Sequence, residues 1–146
     1  MLTQSLAAGP SEPPVRELTI GDALREAAAD SPDATALLAG TPDPAARRTW
    51  TYAELLDEAQ RAARALLVHF APGERVAVWA PNIPEWVILE YASALAGTVL
   101  VTVNPSYQPD ELAYVLRHSR AAGIFLVPDC RGNPMRQHLE SVRGDC

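Results

Sequence analysis

The sequence predicts an α/β fold, a partial parallel sheet with flanking helices, in a chain of 146 residues. Three apolar runs carry the prediction: RVAVWAP from Arg75, TVLVTVNP from Thr98 and IFLVP from Ile124. None alternates apolar with polar residues, so each reads as a strand buried on both faces. Each also ends at a proline, which cannot donate to a sheet ladder. Helical segments separate the runs, and the order strand, helix, strand implies parallel pairing through right-handed crossovers.

The elements follow in chain order. Residues 1–17 carry a cluster of prolines and glycine without an apolar period and read as a flexible leader, with residues 18–146 as an incomplete α/β subdomain. Thr19 caps a short helix with Asp22 three residues on, places Ile20, Leu24, Ala27 and Ala28 on one face, and stops at Pro32. ATALLA at 34–39 is a brief apolar run suited to a strand, and TPDPAARR after it is a polar loop.

The strongest helix begins at Thr51, which has capping-box spacing to Glu54, while Trp50 and Leu55 sit where a hydrophobic staple closes. Leu55, Leu56, Ala59, Ala62, Ala63, Leu66, Leu67 and Phe70 keep its period until Ala71, Pro72 and Gly73 end it. After the first strand, Asn82 is expected to cap a helix with Glu85 at its third position, ending at Gly97. That helix is apolar nearly all round, so protein is expected to cover its outer side too. The next helix runs from Pro109 to about Ala122, and a last one presents Met135, Leu139 and Val142 inward.

The size fits one compact domain, and 48% hydrophobic with 21% charged residues is the balance of an ordinary globular chain. Twelve basic against eighteen acidic residues leave a net charge of −6, which repels a polyanion and makes nucleic acid a poor partner. All the basic residues are arginine. With no lysine, the chain supplies no Schiff-base, P-loop or general-base lysine. Cys130 and Cys146 lie far from any C-x-x-C spacing, so a reducing, cytoplasmic home is expected. Neither a secretory signal nor a run long enough to span a bilayer is visible.

In open parallel sheets ligands bind beyond the carboxyl ends of the strands, which directs attention to the loops at 80–84, 104–108 and 128–134. These contain Asn82, Asn104, Ser106, Tyr107, Asp129, Cys130 and Arg131. Asn82 reads as a helix cap, Asn104 and Ser106 as turn formers, Tyr107 as an anchored surface aromatic and Cys130 as a packed thiol. Arg131, after a strand and before Gly132, could meet a phosphate, although a solvated arginine is the simpler reading. No dinucleotide or Walker fingerprint is present, and His69, His118 and His138 lack metal-ligand spacing. From the residues alone this is an α/β module without a catalytic constellation.

WTYAEL at 50–55, ERVAVWAPNIPEW at 74–86, ALAGTVLVTVNPSYQPDEL at 94–112 and the following AYVLRHSRAAGIFLV together resemble the N-terminal part of the adenylate-forming acyl-CoA synthetases. The resemblance runs from about Leu18 to Cys146. The NPSYQPDEL segment looks more like the fatty-acyl-CoA synthetases, because related peptide-synthetase adenylation domains usually carry aspartate where this chain has Asn104. The resemblance implies the N-terminal subdomain of the adenylate-forming enzyme fold. It also implies an enzyme that joins a carboxylic acid to ATP, then passes the acyl group from the adenylate to the thiol of coenzyme A. ATP, magnesium and coenzyme A are therefore implied for the full-length member, while the lysine-bearing loop, the adenine contacts and the magnesium-binding acid of the family lie downstream.

What carries over onto this chain is architectural: Tyr52 and Glu54 at a helix start, Gly97 at a tight turn, and Asn104, Pro105 and Tyr107 in a strand-end loop. One functional contact is also implied, since arginines of acetyl-CoA synthetases approach the 3′-phosphate of coenzyme A from a loop like that of Arg131 and Arg136. The resulting expectation is a fragment of a fatty-acyl-CoA synthetase, inactive alone, with a possible homodimer surface. The alternatives are a non-catalytic binding or oligomerisation module descended from such an enzyme, and a flavodoxin-like domain with its ligand at the strand ends.

Overall fold

The computed structural model describes Gly9 and residues 15–145, so most of the expected leader lies outside the described residues. Helix α1, Ile20–Asp30, starts where Thr19 accepts from the Asp22 amide at 3.0 Å. Its buried face runs Gly21, Leu24, Ala28, and Ile20, expected on that face, is 59% exposed. The reason is Gly21: a Cβ there would stand 3.0 Å from the Leu95 side chain, so the glycine edge, not Ile20, meets the neighbouring helix.

Strand β1, Thr35–Leu38, pairs antiparallel with a strand absent from the sequence reading, β2, Thr49–Thr51, across a loop holding a 3₁₀ turn at Pro44–Ala46. Helix α2, Tyr52–His69, follows directly. Its capping box is closed on both sides, Thr51 accepting from the Glu54 amide at 3.2 Å and Glu54 accepting from the Thr51 amide at 2.8 Å. Trp50 and Leu55, the expected staple, share a buried cluster with Leu24 and Ala59.

Strands β3 (Arg75–Trp79), β4 (Val99–Val103) and β5 (Gly123–Leu126) form the parallel sheet in the order β4-β3-β5. Helix α3, Pro84–Ala96, links β3 to β4; helix α4, Pro109–Ser119, links β4 to β5; helix α5, Met135–Val142, follows β5. The chain steps from β3 outward to β4, then back past β3 to β5. Crossovers of one hand must therefore place α3 and α4 on opposite faces. They do: Ala63 and Leu66 of α2 meet Ala92 and Ala96 of α3, while Ala77 and Trp79 pack with Leu112 of α4 and Met135 of α5.

Three expectations are corrected. Asn82 does not cap α3: the cap position belongs to Ile83, which makes no side-chain cap bond, because Pro84 fixes the first helical turn one residue beyond Asn82's reach. Helix α4 stops at Ser119 rather than near Ala122, since Arg120 turns left-handed (φ 54°) and closes it. The sheet is covered on both faces only at its centre, where Val76 to Trp79 are buried, whereas Val99 and Phe125 on the outer strands are 48% and 44% exposed. Around α3, Trp86, Ile88 and Leu89 line an open groove, the uncovered apolar face that its all-round apolar sequence implies for these residues by themselves. Gly97 takes the left-handed turn expected of it (φ 72°).

Candidate site at the strand ends

Reversal of winding direction about β3 parts the loops at its carboxyl end, the position at which open sheets form crevices. A crevice of about 630 Å³ lies there, lined by Pro81 and Asn82 after β3, Asn104 to Ser106 and Gln108 after β4, and residues 130–134 after β5, with His138 of α5. All three expected loops converge on it. The anchored base is Trp79, fully buried, whose indole Nε1 donates to the Asn104 carbonyl at 2.8 Å.

Asn104 behaves as the expected turn former, its Oδ1 accepting from the Ser106 amide at 2.9 Å. Tyr107 packs against the core beneath, as an anchored aromatic should. Gln108 completes a second capping box with Glu111, which accepts the Gln108 amide proton at 2.9 Å.

After β5 the chain makes a two-residue hairpin. Cys130 and Asn133 exchange backbone hydrogen bonds of 3.0 and 2.8 Å, and Arg131 and Gly132 both have positive φ, 50° and 82°. Positive φ at both central residues defines the tight I′ geometry, which favours Asn-Gly; an arginine in that place is held against its preference. What holds it is Asn133, whose Nδ2 donates to the Pro105 carbonyl at 2.8 Å and the Tyr107 carbonyl at 3.1 Å, tying this hairpin to the loop after β4.

The electrostatics oppose the chain's overall sign. No carboxylate lines the crevice, and Arg131, exposed at the hairpin tip, is its standing cation in a chain of net charge −6. The amino ends of α3, α4 and α5 follow the same loops and add partial positive charge. Two buried acceptor-capable atoms, Asn133 Oδ1 and His138 Nδ1, have no hydrogen-bond partner. Since the Asn133 amide nitrogen is committed to two carbonyls, its oxygen can only accept. The arrangement suits an anionic ligand that also carries hydrogen-bond donors. Its lining offers no carboxylate to a magnesium ion.

The two arginines expected to act together are not brought together. Arg131 lines this crevice, whereas Arg136 lines a separate groove between α4 and α5 and donates from Nε to Glu140 at 3.1 Å. Asp129 is not among the lining residues. Gln108, Asn133 and His138 were missed as site residues; only Asn133, between Gly132 and Pro134, carried a turn signal that could have marked it.

An open α/β sheet that reverses at its central strand and gathers its strand-end loops around one carboxylate-free crevice defines an α/β module of the doubly wound kind. Residues 24–145 match the AMP-binding enzymes, and the chain belongs to that family. It is 35% identical over 135 residues to the acyl-CoA ligase SID4 of Ajellomyces capsulatus, covering 92% of this chain and 22% of that protein. To the human mitochondrial medium-chain acyl-CoA ligase ACSF2 it is 39% identical over 100 residues, 68% of this chain and 16% of the other. The structure superposes on a Mycobacterium tuberculosis fatty acyl CoA synthetase with a TM-score of 0.74 and 29% identity, over 86% of this chain and 23% of that one. The chain thus aligns to the N-terminal part of acyl-CoA synthetases and spans roughly a fifth of their length.

Proposed function

We propose that the chain is the N-terminal subdomain portion of a fatty-acyl-CoA synthetase, which activates a carboxylic acid with ATP through an acyl-adenylate and then forms the thioester with coenzyme A. The observation that carries this reading is the family match over residues 24–145 in a chain whose crevice offers a cation and no carboxylate. Without lysine or a metal-capable cluster among the described residues, the isolated chain binds but does not catalyse. Its contribution is the crevice wall, in which Arg131 meets the 3′-phosphate of coenzyme A while Asn133 and His138 accept from donors of the same ligand. Arg136 is the weaker phosphate contact, because it must first leave Glu140. The cytoplasm is the compartment we assign from the cysteine usage, although the ACSF2 relatives are named as mitochondrial.

Titration calorimetry of the chain with coenzyme A and with dephospho-coenzyme A tests the assignment, together with acid-dependent ATP-pyrophosphate exchange. Coenzyme A should bind several-fold more tightly than its dephospho form, Arg131→Ala should erase the difference, and exchange should be absent. Equal binding of the two would remove Arg131's role. Exchange by the pure chain would overturn the view that catalysis resides elsewhere.

A further inference from the structure

Arg131 lines the crevice from the tip of its hairpin, and among the described residues no hydrogen bond or ion pair holds its side chain. The reach of that guanidinium is therefore set by the backbone that carries it. This backbone is left-handed, at φ 50°, and unfavourable for a residue with a side chain. Such a conformation persists only where the surroundings over-determine it. Here they form a continuous line of hydrogen bonds running outward from the core. Trp79, at the end of β3 and without exposed surface, donates from its indole to the Asn104 carbonyl at 2.8 Å. The same carbonyl accepts the Tyr107 amide at 3.0 Å, and Asn104 Oδ1 accepts the Ser106 amide at 2.9 Å, so the loop after β4 is folded onto that point. The carbonyls of Pro105 and Tyr107 then meet one side chain, that of Asn133, whose amide nitrogen donates to both. Asn133 in turn exchanges backbone bonds with Cys130 and closes the turn in which Arg131 sits.

We infer that Trp79 and Asn133 are positioning residues for Arg131: together they fix the left-handed backbone of the hairpin and so hold the guanidinium where the crevice recognises a phosphate. The inference rests on the coenzyme A reading for the identity of that phosphate. Its geometry lies wholly within residues 79–133 and uses neither the sheet edges nor the grooves beside them. The chemistry is specific at both positions. Position 133 needs two donors aimed at two carbonyl oxygens; aspartate has the same shape but sets oxygen against oxygen, whereas glutamine keeps the donors one methylene further out. At position 79 phenylalanine keeps an apolar ring in the buried space and removes the indole donor. Trp79 does not line the crevice, so its influence on a ligand passes through the loops that it anchors. A contact held ready in its bound conformation gains affinity because less ordering remains to be done on binding. Loosening the hairpin should therefore appear as lost recognition of the phosphate.

The test pairs amide hydrogen exchange with calorimetry on the full chain, with coenzyme A and dephospho-coenzyme A as probes, for Trp79→Phe, Asn133→Asp, Asn133→Gln and Arg131→Ala. Trp79→Phe and Asn133→Asp should each speed exchange of the amides at positions 130 and 133 about tenfold. Both should lose most of the preference for coenzyme A, and Asn133→Gln should retain part of it. Trp79→Phe should bind the dephospho form as the unaltered chain does. In an Arg131→Ala background neither substitution should change the preference further. Faster exchange with the preference intact overturns the proposal, and so does a turn that stays protected in both variants. Equal weakening of the two ligands by Trp79→Phe, together with a lowered melting temperature, assigns Trp79 to the fold alone and overturns it as well. If Arg131→Ala keeps the preference, or neither ligand binds, the coenzyme A reading fails and takes the ligand half of the proposal with it, while the exchange rates still decide whether Trp79 and Asn133 hold the turn.

Discussion

Adding one methyl group to Gly123 tests whether the end of α2 is locked onto the sheet. A Cβ at that position would lie 2.5 Å from Cζ and 2.7 Å from Cε1 of Phe70, the residue that closes α2. Carbon atoms rest about 3.5 to 4.0 Å apart, so the overlap is about an ångström. The Gly123 backbone itself tolerates alanine, because its φ is not left-handed, and the loss of unfolded-state entropy alone would stabilise by about 0.4 to 1 kcal/mol. Overpacking costs typically about 1 to 3 kcal/mol, and the half-buried ring yields by swinging outward. The net expectation for Gly123→Ala is a loss of about 1 kcal/mol. In a Phe70→Leu background the obstructing ring atoms are gone and the same substitution should be neutral or stabilising. Urea denaturation of the four proteins, followed by circular dichroism, gives the coupling directly. If Gly123→Ala costs the same with and without the ring, the contact does not exist and the reasoning fails.

Three other outcomes are expected. Arg131→Asn relieves the left-handed strain and should stabilise by up to about 1 kcal/mol while removing discrimination between coenzyme A and its dephospho form; thermal melting and calorimetry read the two effects separately. Thr51→Ala opens the capping box of α2 and should cost about 1 kcal/mol in urea denaturation. The Glu85 carboxyl sits below the ordinary glutamate range, first through its own backbone amide and then through Arg48, whose Nη2 donates to it at 2.6 Å. A depressed carboxyl contributes stability above its unfolded value and loses it as pH falls through its folded one. Carbon-detected titration should therefore find Glu85 ionised to a lower pH than a free glutamate, and Arg48→Ala should return it only part of the way.

Local chemistry was legible and tertiary chemistry was not. Thr51 and Glu54 announce a helix start because both halves of the box lie within four residues, and the three apolar runs announce strands, although only β3 is buried on both faces. Asn82 misled because capping preference is statistical, whereas the proline at position 84 decides where the first turn begins. Strand β2 was missed because its three residues, two of them threonine, become a strand only by pairing with β1. The strand-end loops were found from topology alone. Within them, the turn signal around Asn133 could mark a loop residue but not its role, which is to bridge carbonyls 26 and 28 residues away. The pairing of Arg131 with Arg136 failed for a similar reason: they are close in sequence, but the hairpin turns one toward the crevice loops while the helix carries the other to Glu140.

The central position of β3 also has a kinetic meaning. It is the first strand of its sheet to be made, yet both partners come later, each beyond an intervening helix. The neighbouring α2 and α3, and the β1 to β2 hairpin, depend on shorter loops and can close early, whereas the sheet must wait for the last strand. Until β5 arrives, Val76 to Trp79 present one unsatisfied, strongly apolar flank. Refolding should thus show fast gain of helix followed by slow burial of Trp79, and that interval is when a nascent chain of this kind is most open to aggregation.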